Sequence, residues 1–216
     1  MDLNRRTLLA GTATGIAAGA AGCLGILGGS ADFAADLALA NEGTASSNNF
    51  VRQEPQEDSI EKTFSAGGQS KTVTVRNWVT EYNKTLDLPI LSDMKAGVFA
   101  VVSTPKVEIL GQSFNPIKDW DPKKTARMLQ DQYEGFSIGE EVGSGTVQVL
   151  GSSTAMSKFE GTATMAGQNV DVYVLIAKAV PNEGDFVLSL GVYPQQADEE
   201  GTITALMESI EHPAEA

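Results

Sequence analysis

Residues 136–193 form a run of short segments whose apolar side chains alternate, separated by breaks of two to four residues. Val170, Val172, Val174 and Ile176 make one aliphatic row, and Phe186, Leu188, Leu190 and Val192 make another. A period of two places each row on one face of a strand. Parallel strands need a crossover of about a dozen residues or more, so breaks this short dictate antiparallel pairing. The predicted strands are Phe136–Glu141, Thr146–Leu150, Thr154–Met165, Asn169–Ala179 and Asp185–Tyr193. The breaks are Gly143-Ser144-Gly145, Gly151-Ser152, Ala166-Gly167 and Pro181-Asn182-Glu183-Gly184.

Upstream, Ile60–Ser65 and Lys71–Leu86 flank Gly67-Gly68 and read as a hairpin. Val98–Ile109 is a further β-prone run, in which Pro105 demands an edge, a bulge or a break. Asp121-Pro122 then opens a helix, with Asp as N-cap and Pro at the first helical position. Ala126, Leu129 and Tyr133 repeat at helical spacing before Gly135 stops it. The chain closes on Gly201–Glu211, where Ile203, Leu206, Met207 and Ile210 form an apolar helical stripe suited to packing across a sheet. The expected class is α+β: an antiparallel sheet of hairpins and meander with helices packed on its faces. One domain is expected over 59–212. Before it, residues 23–58 read as a spacer at Gly25–Gly29, a short helix at Ala31–Ala40 with Phe33 and Leu37 one turn apart, and a polar tether at Asn41–Asp58.

Residues 1–22 read as an export signal rather than fold. Arg5-Arg6 precedes a weakly apolar stretch, Leu8–Gly22, which at 15 residues is too short to span a bilayer core of about 30 Å. Twin arginines before a mildly hydrophobic region mark a twin-arginine signal. Ala20-Ala21-Gly22-Cys23 follows, with small residues ahead of the chain's one cysteine, and resembles a lipobox, although Ala20 stands where Leu is usual. Cys23 is thus the expected lipid attachment site, which gives a membrane partner through that lipid and a location on the extracytoplasmic face. A single short acyl chain holds only marginally, so a two-chain lipid is expected. With one cysteine, no disulfide forms within the chain.

Several stretches resemble a known group. Asn77-Trp78, Val98–Pro105, Ile109–Pro116, Lys158–Ala163, Val170–Tyr173 and Gly191–Gln195 are similar to the haloarchaeal twin-arginine-exported lipoproteins grouped only as a domain of unknown function. The resemblance runs from the signal to Glu211. It implies a secreted, lipid-anchored protein and brings no reaction or catalytic residues. A looser likeness, at the level of architecture, is to the PsbP/Mog1-like αβα sandwich, which licenses no function.

The chain carries 28 acidic against 15 basic residues; without the first 22 residues the count is 27 against 13, a net −14. Such a surface repels phosphate backbones and anionic lipid, which argues against nucleic acid and against electrostatic membrane adsorption. It suits a halophilic setting, because at 1 M salt charges more than about 3 Å apart are screened from one another. No nucleotide or nucleophile-elbow motif is present, and no cofactor is expected. The one histidine, His212, reads as a solvated tail residue. Asp119-Trp120-Asp121 reads as a helix cap and Asp198-Glu199-Glu200 as a solvated loop with first-turn acids, rather than as calcium ligands. Glu140 and Glu141 are adjacent on a strand and point to opposite faces, which defeats a paired-carboxylate mechanism. Trp78, Tyr82 and Trp120 are the residues that could line a ligand pocket, and Asn83-Lys84-Thr85 fits a glycosylation acceptor. The expectation is a non-enzymatic, membrane-anchored binding or assembly accessory with an unidentified protein partner. A small-ligand-binding lipoprotein is the alternative, and a carboxylate-based enzyme the second.

Overall fold

The computed structural model describes residues 31–66, 69–85, 95–109, 112–113, 115–132, 135–165 and 168–215. The strands are β1 (Ala31–Ala34), β2 (Leu39–Ala40), β3 (Val51–Arg52), β4 (Gln56–Ala66), β5 (Gln69–Thr85), β6 (Lys95–Pro105), β7 (Glu108–Ile109), β8 (Gln112–Ser113), β9 (Phe136–Val149), β10 (Ser152–Met165), β11 (Gln168–Asn182), β12 (Asp185–Pro194) and β13 (Ile210–Glu211). The helices are α1 (Glu42–Ser47), α2 (Pro122–Gln132) and α3 (Glu200–Glu208), with a 3₁₀ turn at Pro116–Asp119.

One nine-stranded sheet dominates, in the order β1-β5-β6-β12-β11-β10-β9, with β3 and β4 also paired to β5. The predicted meander holds: β9, β10, β11 and β12 pair antiparallel in sequence. β12 then pairs with β6, so a strand from the first half of the chain lies beside one from the second. The expected β4–β5 pairing is antiparallel, with Ala66 opposite Gln69, and β6 ends at Pro105.

The α+β class expected from the sequence, with helices packed on the faces of an antiparallel sheet as in a PsbP/Mog1-like sandwich, does not describe the molecule. Strands make up most of the described chain, the α-helices are only 6, 11 and 9 residues long, and the sheet is mixed, since β1 runs parallel to β5. The misreading began in residues 31–58. The segment expected to be a short helix at Ala31–Ala40 forms β1 and β2 instead, and part of the expected tether forms α1, β3 and the start of β4. Phe50 is buried there, which no solvated tether permits. β1 gains its backbone partners from β5 at Val73–Arg76, and Asp32 meets Arg76 at 3.1 Å.

The expected break at Gly143-Ser144-Gly145 is also absent. These residues stay in β9 and pair with Lys158, Ser157 and Met156. Register shifts at Lys158/Phe159 and Phe159/Gly161 absorb the irregularity. A side chain at Gly161 would meet the Ser137 carbonyl oxygen at 2.5 Å, so only glycine lets the two strands approach there.

Alternation along β11 and β12 sends side chains into two cores. On one face Leu175, Val187 and Tyr193 pack with Phe99, Phe50 and the α3 residues Ile203, Leu206 and Met207. On the other, Val172, Val174, Ile176, Leu188 and Leu190 pack with Ile117 and Ala126. Residues fully buried on both faces make these the central strands. Burial at about 25 cal/mol per Å² of apolar area is the main force holding the sheet flat against its covers.

Candidate functional site

A polar, charged concavity lies where the β10–β11–β12 strip meets the start of α3. Register brings its walls together. Tyr173 stands directly opposite Tyr193 on β12, with ring centroids 5.8 Å apart. Lys158, on β10, pairs with Leu175 on β11, two positions from Glu160, the residue opposite Tyr173, which is within reach of a long side chain. The Lys158 ammonium sits 3.9 Å from the centre of the Tyr173 ring and 2.7 Å from Glu200 Oε2 at the first turn of α3. The cleft they enclose with Gln196 and Asp198 has a volume of about 200 Å³. That is below the range of roughly 300–1,000 Å³ typical of sites for drug-sized apolar ligands, and its walls are polar.

Two groups in this cleft are electrostatically unusual. Burial alone would lower the Lys158 pKa, but the hydrogen bond and charge of Glu200, with Tyr193 close by, outweigh it and hold the ammonium above its ordinary value. Burial raises the Tyr193 hydroxyl above the usual phenol range, against the pull of Lys158. Tyr193 is 1% exposed; its hydroxyl makes no hydrogen bond of normal geometry among the described residues, and the Lys158 ammonium is the cationic group beside it. A buried hydroxyl left unpaired costs about 1–3 kcal/mol, so the cleft holds an unmet polar demand.

A second polar cluster lies in the same layer, at the β11–β12 turn. His212 follows β13, and its side chain is fully buried. Its Nε2 is 2.9 Å from Asp185 Oδ2, and its Nδ1 is 2.9 Å from Asn182 Oδ1. A carboxylate only accepts, so Nε2 carries a hydrogen. The Asp36 N–H donates to the same carboxylate at 2.8 Å. Ala214 N–H donates to Leu37 O, which ties the C-terminal segment to the N-terminal one. The expected solvated tail is therefore a buried clamp. The sequence offered no sign of it, because Asp185 and His212 are far apart in the chain.

Residues 38–211 match a domain of unknown function, DUF6517. The chain belongs to the DUF6517 family. No curated protein matches this DUF6517 chain. Two solved structures from Pseudomonas aeruginosa are similar to it at low identity. The first is a protein of unknown function, PA94, described as a putative regulator; it is 11% identical, covers 72% of this chain and 99% of its own, and has a TM-score of 0.34. The second is the T6SS immunity protein TplEi complexed with an "L" peptide; it is 13% identical, covers 79% of this chain and 61% of its own, and has a TM-score of 0.30.

Within the DUF6517 domain the residues singled out from sequence are scattered. Tyr82 is a core residue: its hydroxyl accepts from Ala40 N–H at 2.8 Å and donates to Ala40 O at 3.2 Å, and its ring lies 5.8 Å from that of Phe99. Burial raises its pKa, partly offset by the Ala40 bond. Trp120 packs in the opposite core, with Lys124 5.4 Å above its ring. Trp78 sits on β5, paired with Glu57 and Ser103. None of the three lines the cleft beside Tyr193. Asn83 lies on β5 between Val51 and Val98, with its side-chain oxygen buried. Asp121 caps α2, its carboxylate accepting from Lys124 N–H at 2.7 Å. Glu199 and Glu200, expected to be solvated, hold Lys84 at 2.6 Å and Lys158 at 2.7 Å, and Glu199 is itself buried. Glu140 and Glu141 are both exposed on β9. Arg5, Arg6 and Cys23 lie outside the described residues. Among those described, no helix is long and apolar enough to cross a membrane, and no group of three or more His, Cys, Asp or Glu side chains is gathered for a metal.

Proposed function

We propose that this DUF6517 protein is a haloarchaeal-type lipoprotein, exported by the twin-arginine route and anchored through Cys23 at the extracytoplasmic face, where it serves as a non-catalytic binding or assembly accessory. The observation that carries the reading is the coincidence, in one short stretch, of Arg5-Arg6, a weakly apolar run and the chain's one cysteine after small residues. The fold supports a short tether. Ala31 already belongs to β1, and the eight residues from Cys23 to Ala31 reach at most about 28 Å when fully extended. The domain would therefore ride close to the membrane, and the strong negative charge would keep it off anionic headgroups. The polar cleft beside Tyr193 favours small-ligand binding as the second reading.

Fractionation of native cells tests the anchor. Replacing both Arg5 and Arg6 by Lys should leave the precursor inside the cell, and Cys23→Ala should move the exported protein from the membrane to the medium. Mass spectrometry should find a mature N-terminus at a lipid-modified Cys23. Mature protein that retains Met1, or carries a bare thiol in the aqueous fraction, overturns the proposal.

A further inference from the structure

The cleft at the start of α3 has its charges met and its hydrogen bonding unmet. Lys158 is matched by Glu200 and by the face of Tyr173. The neutral hydroxyl of Tyr193 beneath them makes no hydrogen bond of normal geometry, with the Lys158 ammonium beside it. Lys158, Asp198 and Glu200 together leave the cleft at −1, within a chain of −14 beyond its signal, so an anion is repelled there. A cation would face the Lys158 ammonium. A neutral molecule bearing several hydroxyls suffers neither penalty, because each hydroxyl both donates and accepts. It can accept from Tyr193 and Lys158 while donating to Glu200, Asp198 and the Gln196 carbonyl. The Lys158–Glu200 pair is partly open to water, its side chains 22% and 48% exposed, and partly exposed pairs contribute about 1 kcal/mol or less. Tyr173, partly exposed, offers a flat apolar wall to ring C–H groups. The volume of about 200 Å³ equals roughly seven liquid waters at about 30 Å³ each, the room of a single sugar ring.

We propose that this cleft is a binding site for one neutral saccharide ring, with Tyr193, Lys158, Glu200 and Gln196 as its polar contacts and Tyr173 as its wall. This rests on the binding role proposed above and gives it a ligand class, but it does not depend on the lipid anchor.

The test is ligand-observed saturation-transfer NMR on the full chain with methyl glycosides of glucose, galactose and N-acetylglucosamine, and with acetate and glycine as charged controls. Binding of at least one glycoside is expected, with a Kd on the order of 1 mM. Tyr193→Phe should weaken it by about fivefold through loss of one hydrogen bond. Gln196→Trp, at an exposed position where the fold is not at risk, should block it. The proposal is overturned if no glycoside gives transfer at about 50 mM, if acetate or glycine binds as well as the glycosides, or if folded Gln196→Trp binds unchanged. Unlipidated protein that binds a glycoside would remove only the anchor. Lipidated protein that binds none would remove only the ligand.

Discussion

Removing the Asp185 carboxylate, at the start of β12, should strongly destabilise the fold. The carboxylate is 4% exposed, the His212 ring beside it 0%, and it also receives the Asp36 N–H at 2.8 Å. Asp185→Ala therefore leaves the buried His212 Nε2–H and the part-buried Asp36 N–H without their acceptor, at up to about 1–3 kcal/mol each. At about 2–4 °C per kcal/mol for a chain of this size, the melting temperature should fall by roughly 4–24 °C. Differential scanning calorimetry or circular dichroism melting of Asp185→Ala, His212→Leu and the double Asp185→Leu/His212→Leu variant provides the check. The double variant should lose less than the sum of the single losses, because neither partner is left buried alone. If Asp185→Ala melts within about 2 °C of the parent protein, the clamp does not hold the chain ends and the reasoning from burial fails.

Three further outcomes are expected. The pKa of Tyr193 is raised in the fold by burial, so the unfolded chain releases this proton first as the solution turns alkaline. Stability is then fully present below pH 10 and is lost as pH rises through the folded value. Tyr193→Phe should make the alkaline limb of a stability-against-pH curve shallower, and an unchanged limb would contradict the assignment. Gly191→Ala would place a methyl 2.8 Å from Ile203 Cδ1 and should cost about 1–3 kcal/mol by overpacking in urea unfolding; Ile203→Ala should recover part of that loss. The melting temperature should rise between about 0.1 and 2 M KCl as the screening length shrinks to a few ångströms, and a flat dependence would mean that the −14 charge does not govern stability.

The sequence was most informative where one physical signal dominated. Alternating rows at 170–176 and 186–192 yield β11 and β12 because a face that must be buried tolerates no slip of register. Asp121-Pro122 marks the start of α2 because the cap and the fixed proline angle act within one turn. The reading failed where partners are distant. Ala31–Ala40 has helical spacing and no alternation, yet β5 recruits Ala31–Ala34 as a parallel strand, since tertiary pairing outweighs a weak local preference. Gly143-Ser144-Gly145 has turn composition, but β10 supplies partners across it.

The candidate site was less legible still. Tyr173, Tyr193 and Lys158 are ordinary strand residues, and only cross-strand register and the landing of α3 bring them together. Local chemistry alone set the strand rows, the helix cap, the net charge and the signal-like opening with its single cysteine, because each depends on neighbours a few residues away. Three-dimensional packing decided which strands sit side by side, that His212 is buried against Asp185, and that a tyrosine hydroxyl lies buried under a lysine. Those outcomes depend on contacts between segments far apart in the chain, and no window of sequence contains both halves of such a contact.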